Sequence, residues 1–308
     1  MREQMRATMN DLFAADPRLV MILADISAGY FDEAVDAFPG RVINVGIMEQ
    51  TAVSLAAGFA LEGFIPVFHS IAPFAVERPF EQWKDDFGYQ GLGGNVISVG
   101  ASYDYGTDGM THFAPGDVQI LLSVPRMEIV VPGTAAEFDS LFRQSYANGA
   151  PTYYRLSSQP NREDRPVQFG TLDVVRSGSG PTVVAVGPML DRVMEAVSGH
   201  DLTVAYCTTV APFDAEGLRR ASRPGPDGAH RILLVEPFWE GTLTQTIVAA
   251  LHPDPVRIEL VGVPRRVISR YGSPDEHDAA LGLTAGAIRQ KLSALETGEV
   301  VPPARVEG

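Results

Sequence analysis

Hydrophobic positions along the chain fall into two alternating rhythms. An amphipathic run up to Ala15 has helical spacing, and the unbroken Leu19-Val20-Met21-Ile22-Leu23 after it suits a strand buried on both faces. Val42-Ile43-Asn44-Val45 then gives way at once to an Ala-rich helical stretch over 49–61. The exchange continues with strands at 65–68, 95–99, 128–131 and 152–156 and helices at 80–87 and 135–148. This is the βαβ rhythm of a parallel sheet, and it predicts an α/β domain over residues 1–165. Residues 158–166 are polar, carry Pro160 and Pro166 and have no period, which marks a linker. A second rhythm has strands at 182–186, 202–206, 232–235 and 258–261, with helices near 190–197, 215–221, 243–251 and 285–292. It predicts a smaller domain over 172–308, with the tail from Val300 frayed. The expected fold class is α/β, with two three-layer α/β/α domains, each on a mostly parallel sheet. No fixed-period repeat is evident.

Composition narrows the function classes. At 308 residues with 45% hydrophobic and 20% charged content, the chain can bury two ordinary cores. Its longest apolar stretches fall well below the roughly 20 residues of a membrane span. Met1-Arg2-Glu3-Gln4-Met5-Arg6 leads into a polar amphipathic segment rather than the apolar core of a secretory signal, so the cytoplasm is the expected location. A formal charge of −14 repels nucleic acid and anionic membranes, and neither is an expected partner. Cys207 is the single cysteine and reads as a buried thiol, leaving no intramolecular disulfide and no multi-cysteine zinc site. His200, His230, His252 and His277 stand at no metal-ligand spacing and are expected at the surface. Gly91-Leu92-Gly93-Gly94 precedes its strand rather than following it, and is a turn.

Two stretches could carry chemistry. In Asn44-Val45-Gly46-Ile47-Met48-Glu49-Gln50 a strand turns through a glycine into a helix and leaves a carboxylate in its first turn. Complementing the helix dipole would explain such a glutamate. Val45, Ile47, Met48, Ala52 and Val53 would also desolvate it, which disfavours the charged form unless something donates to it. In Tyr105-Gly106-Thr107-Asp108-Gly109-Met110-Thr111-His112, a Gly-rich loop holds an Asp and a His four apart at the carboxyl edge of the first sheet, where open α/β sheets bind ligands. An ordinary surface loop has the same composition.

Those two stretches, with Ala56-Ala57-Gly58 between them, resemble in order and spacing the pyrimidine-binding domain of transketolases. Arg78-Pro79-Phe80-Glu81-Gln82 looks like a stretch of stand-alone C-terminal transketolase subunits, and Gly272-Ser273-Pro274 with Gly282-Leu283-Thr284 resembles the end of their last domain. The likeness covers nearly the whole chain. A complete transketolase has a preceding diphosphate-binding domain with Gly-Asp-Gly and a distant Asn. This sequence has no Gly-Asp-Gly, so it resembles the C-terminal half of a split enzyme.

The resemblance implies thiamine diphosphate as cofactor, Mg2+ ligated by an N-terminal diphosphate-binding partner subunit, and an α2β2 heterotetramer acting on sugars or sugar phosphates. A two-carbon ketol unit would pass from a ketose to an aldehyde. Glu49 would hydrogen-bond the cofactor's aminopyrimidine, with Phe74, Ile71 and Ile47 as further cofactor contacts. Ile71 stands where many members have a second aromatic. Asp108 would contact a substrate hydroxyl, and His112 would stabilise an oxyanion or shuttle a proton, as a neutral imidazole can. Three positions that resemble the family's phosphate contacts have changed, to Gly29, Gly100 and Ser158. Arg2 and Arg155 remain as candidate basic contacts. The β subunit of a 2-oxoacid dehydrogenase shares the two-domain plan, but its substrate loop lacks the Gly-x-Asp-Gly-x-Thr-His pattern. Deoxyxylulose-phosphate synthase has the loop but is normally one continuous chain. A non-catalytic assembly subunit would not need Glu49, Asp108 and His112 together.

Overall fold

The structure, a computed structural model, describes residues 1–297. The tail expected to fray from Val300 lies outside the described residues. Strands β1 (Leu19–Leu23), β2 (Val42–Asn44), β3 (Ile65–Ile71), β4 (Gly94–Val99), β5 (Glu128–Val130) and β6 (Pro151–Arg155) are followed by β7 (Leu172–Arg176), β8 (Thr182–Val186), β9 (Thr203–Cys207), β10 (Thr209–Ala211), β11 (His230–Trp239) and β12 (Val256–Val263). They form a seven-stranded sheet ordered β10-β5-β6-β4-β3-β1-β2 and a five-stranded sheet ordered β12-β11-β8-β9-β7.

Each sheet is parallel apart from one edge strand, β10 in the first and β7 in the second. Both of these edges escaped the sequence reading. Because β10 (Thr209–Ala211) comes from the second half of the chain, the first sheet is completed by residues well beyond the expected linker at 158–166. The segment expected as a helix over 80–87 begins as α-helix at Phe80–Gln82 and widens into a π-helix over Trp83–Tyr89.

Alternation in the strands explains the layers. Leu19, Met21 and Leu23 enter one core with Met5, Met9 and Phe13 of the helix Arg2–Ala15 and Phe138 and Leu141 of the helix Ala135–Ser145. Ile22 and Ala24 enter the other, with Ala52, Val53, Ala56 and Ala57 of the helix Glu49–Leu61. Successive side chains leave a strand on opposite faces, so a strand covered by helices on both sides must be apolar throughout. Val183 and Ala185 against Val184 and Val186 repeat the pattern in the second sheet.

The two sheets are tied by polar groups. Arg155 is 1% exposed and its Nε donates to Asp117 Oδ2 at 2.7 Å, an oxygen that also accepts from the Tyr153 hydroxyl. Arg155 Nη2 donates to Ser102 Oγ at 2.7 Å, and that hydroxyl donates to the Pro237 carbonyl of β11. The Tyr103 hydroxyl donates to Asp278 Oδ1 at 2.5 Å, and Arg192 pairs with the same carboxylate. A buried ion pair needs further hydrogen bonds to offset desolvation, and Arg155 has one to Ser102 while Asp117 has one from Tyr153. Arg155, expected as a candidate basic contact, thus has its guanidinium engaged inside the protein by Asp117 and Ser102. His230 and His277, expected at the surface, are also buried, His277 between the rings of Tyr103 and Phe113. Cys207 is buried as expected, and burial raises its thiol pKa.

Candidate active site

Parallel strands deliver their following loops to one edge, and four such loops meet at the carboxyl ends of β1 to β4. After β2, Asn44 Oδ1 accepts from the backbone N–H of Gly46 at 3.1 Å and of Asp25 at 3.0 Å, while its amide donates to Asp25 Oδ1. This knot ties the β1 and β2 loops together and starts the helix at Glu49.

Glu49 is 3% exposed. Of the five apolar neighbours expected around it, Ala52 and Val53 are buried and Val45 is half-buried. Ile47 and Met48 instead turn outward, at 68% and 53% exposure. The donor left open by the sequence reading is Arg78, whose Nη1 lies 2.8 Å from Glu49 Oε1. No other side-chain hydrogen bond reaches this carboxylate among the described residues, which leaves Oε2 as an open acceptor.

After β3, Phe74 sits in a short helix, Ala72–Val76, and the Arg78 guanidinium lies 3.8 Å from the centre of its ring. Four residues of separation along a helical path bring two side chains onto one face, which is why Arg78 can reach Phe74. After β4, the loop brings His112 edge-on to Phe74 with ring centres 5.3 Å apart, and the Tyr105 ring stands 6.3 Å from His112 on its own account. His112 Nδ1 is 3.0 Å from the Thr111 hydroxyl. Asp108 is exposed on the same loop. Ile71 is buried at the end of β3. A side chain at Gly100 would place its Cβ 2.4 Å from the Tyr105 ring and 3.0 Å from Ile71, so Tyr105 fills the volume that such a side chain would need. Burial raises the Tyr105 phenol pKa, with the Arg2 charge opposing that shift.

The second half of the chain holds this loop from behind. Gly272 N donates to the Gly106 carbonyl at 3.1 Å, and the Tyr271 ring lies where a Cβ on Gly109 would be, 2.5 Å from its nearest carbon. Gly109 has φ +77°, a conformation that glycine adopts without strain.

Arg2 approaches from the N-terminal helix. Its Nε donates to Ser27 Oγ at 2.9 Å, and its guanidinium lies over Tyr30. Ser27 in turn is 2.7 Å from His69 Nε2, while His69 Nδ1 is 2.7 Å from the Ile97 carbonyl. A carbonyl can only accept, so Nδ1 carries the proton and Nε2 accepts from Ser27. The chain of donors therefore runs from Arg2 through Ser27 and His69 to Ile97. Full burial lowers the His69 pKa to about 4 and keeps the ring neutral. Beside it, an open cleft of about 630 Å³ is lined by two guanidinium groups, Arg2 and Arg6, and four carboxylates, Glu3, Asp25, Asp32 and Glu33.

The structure thus gathers Glu49, Phe74 and His112 into one cluster, with Ile71 and Tyr105 at its wall. Arg2 borders an adjoining cleft, and Arg155 stands apart. Residues 1–162 match the transketolase, pyrimidine binding domain. The chain belongs to the transketolase family. It is 40% identical over 292 residues to an uncharacterized 33.6 kDa protein in the fasciation locus of Rhodococcoides fascians, covering 93% of this chain and 92% of that one. It is 30% identical over 217 residues, 67% of each chain, to the 6-deoxy-6-sulfo-D-fructose transketolase subunit SqwH of Clostridium sp. (strain MSTE9). Among solved structures it is similar to a split gene transketolase described as an inactive beta4 tetramer, with TM-score 0.81 and 25% identity, covering 97% of this chain and 98% of that one. In sequence and fold the chain is like a subunit of a split transketolase.

Sequence reasoning missed Arg78, Tyr105 and His69 as site residues. Arg78 had a signal in its spacing from Phe74; Tyr105 and His69 owe their places to packing between distant strands.

The His69 geometry has a consequence for stability. An unfolded histidine titrates near 6.5, so as pH falls the unfolded chain takes up this proton before the folded one. The contribution of a neutral buried His69 is present above that value and is lost as pH falls toward about 4. Urea unfolding of the wild type should lose on the order of 3 kcal/mol more than His69→Gln between neutral pH and pH about 4. Parallel stability curves for the two proteins would contradict the assignment.

Proposed function

We propose that this chain is the pyrimidine-side half of a ketol-transferring active site, completed by a separate diphosphate-binding subunit that brings the magnesium ligands. The observation that carries this reading is Glu49: a carboxylate buried at a helix start, with one oxygen held by Arg78, the other open, and an aromatic ring alongside. Those features suit the aminopyrimidine of thiamine diphosphate, a planar group with a ring nitrogen for Glu49 and a face for Phe74. When bound, thiamine diphosphate supplies the carbanion stabilisation that breaking a C–C bond next to a carbonyl requires.

The protein's own residues supply position and proton control. Glu49 Oε2 can take and return a proton at the ring nitrogen. Burial makes that oxygen a better partner for a nitrogen than it would be in water. Phe74 fixes the plane of the ring, and Ile71 and the exposed Ile47 border it. His112 lies close enough to Phe74 to face the reacting carbonyl, where a neutral imidazole can donate to a developing oxyanion. Asp108, exposed beside it, can accept from a substrate hydroxyl. The likeness to a split transketolase whose solved assembly is called inactive supports this division of labour between two subunits. An α2β2 assembly gives each site both halves.

We further propose a substrate end without a phosphate. Gly29 is exposed without a donor side chain, the Ser158 backbone N–H is held by Asp104, Tyr105 occupies the space at Gly100, and Arg155 is buried. The cleft beside Arg2 has more carboxylates than guanidinium groups, which repels a dianion.

Removing the Glu49 carboxylate tests the central role. Arg78 is 42% exposed and can return to water, so Glu49→Ala should fold normally. Reconstituted with the wild-type partner, it should lose ~10²–10⁴-fold in turnover, the usual worth of general acid–base assistance. Near-normal turnover would reduce Glu49 to a helix-dipole residue. For the substrate end, specificity constants for matched phosphorylated and unphosphorylated acceptors should differ by well under about a hundredfold, because charge-assisted hydrogen bonds worth ~1.5–3 kcal/mol each are missing. A hundredfold or greater preference for phosphate would contradict this reading.

A further inference from the structure

Two arginine–carboxylate pairs in this protein are built in opposite ways. Arg155 and Asp117 are 1% and 0% exposed, and both have additional partners in Ser102 and Tyr153. In the other pair Glu49 is 4% exposed at its side chain, but Arg78 is 42% exposed. Among the described residues the Arg78 guanidinium donates to nothing except Glu49, and it also lies over the face of Phe74. The first pair is locked on every side, whereas the second is open to water through Arg78.

We infer that Arg78 is a placeholder in the free chain, occupying the position on Glu49 and Phe74 that a planar, nitrogen-bearing ring takes when it binds. The inference rests on the function proposed above, which supplies the ligand class. A guanidinium is planar and delocalised, donates N–H to a carboxylate and lies on aromatic faces. It therefore makes, at 2.8 Å to Glu49 and 3.8 Å over Phe74, the two contacts required of an aminopyrimidine. A ligand ring stacking on the face of Phe74 that Arg78 now covers would have to displace the guanidinium, 3.8 Å from the ring centre. A reason for such a residue is also visible. A buried carboxylate left without a donor is costly, and until the partner subunit and cofactor arrive Glu49 needs a temporary one. Arg78 can leave because water receives it, and the Phe74 face it vacates then takes the incoming ring, whose nitrogen meets the Glu49 carboxylate at the open Oε2.

The test uses the full chain and thiamine itself as the probe, which carries the aminopyrimidine without needing the diphosphate half of the site. Calorimetry should show thiamine binding to Arg78→Ala about tenfold or more tightly than to the wild type, with Arg78→Gln in the same direction. In the wild type, the side-chain nitrogen resonances of Arg78 should move toward those of a solvated arginine as thiamine saturates the chain. Weaker or unchanged binding by both variants, or Arg78 resonances that stay fixed at saturation, would overturn the placeholder role. If neither variant binds thiamine at all, the role is also overturned, since a vacated cleft should accept the probe. Ketol transfer by the reconstituted wild-type pair reports on the proposed function separately: activity there with either negative result sinks only the role of Arg78.

Discussion

The site depends on holding one carboxylate in place where water scarcely reaches it. Glu49 lies at the start of a helix, whose dipole favours an anion, and among the described residues Arg78 is its one side-chain donor. Much of the surrounding backbone serves that arrangement. The Asn44 side chain binds the loops after β1 and β2 together so that the helix begins where it does. Asp25 and Ser27 adopt positive φ next to this knot, a strain that is sustained only where surrounding hydrogen bonds over-determine the chain. Ser27 in particular is fixed from two sides, by Arg2 and by the buried His69.

A second constraint is that loops bearing chemistry must not wander. The Gly106 to Gly109 stretch has no regular structure of its own, and it is held by Gly272 and Tyr271 from the other half of the chain. The same half supplies β10 to the first sheet and the Pro237 carbonyl to Ser102, whose other partner is Arg155. Sites need rigid supports more than they need many residues. In this chain the second sheet has that task, and the proposed catalytic groups all come from the first 112 residues.

How much of this could be read from the sequence depended on whether the cause was local. The strands of the first sheet and the helix after Glu49 follow from unbroken or periodic apolar runs, and they form close to where those runs lie. The order of the Glu49 and His112 stretches was enough to suggest a family, and the comparison bears that out. Nothing local distinguishes β10 from a continuation of β9, from which a single residue separates it. Arg155 has a basic side chain in a buried strand, which from sequence alone could serve a ligand or a buried partner; that Asp117, thirty-eight residues earlier in the chain, pairs with it is visible only in the fold. Ile47 and Met48 flank Glu49 in sequence, yet the turn through Gly46 points both outward. Tyr105 could be understood only once its ring was seen to fill the space above Gly100.

The account holds that this chain carries half of a site and that the other half lies on a different subunit. Its most direct test is a titration: ketol transfer from a ketose to an aldehyde, with thiamine diphosphate and Mg2+ present, measured for this chain alone, for the diphosphate-binding subunit alone, and for mixtures of the two. The account predicts no turnover from either component and activity that rises with added partner until the two are equimolar. Full turnover by this chain in the absence of any partner would contradict it.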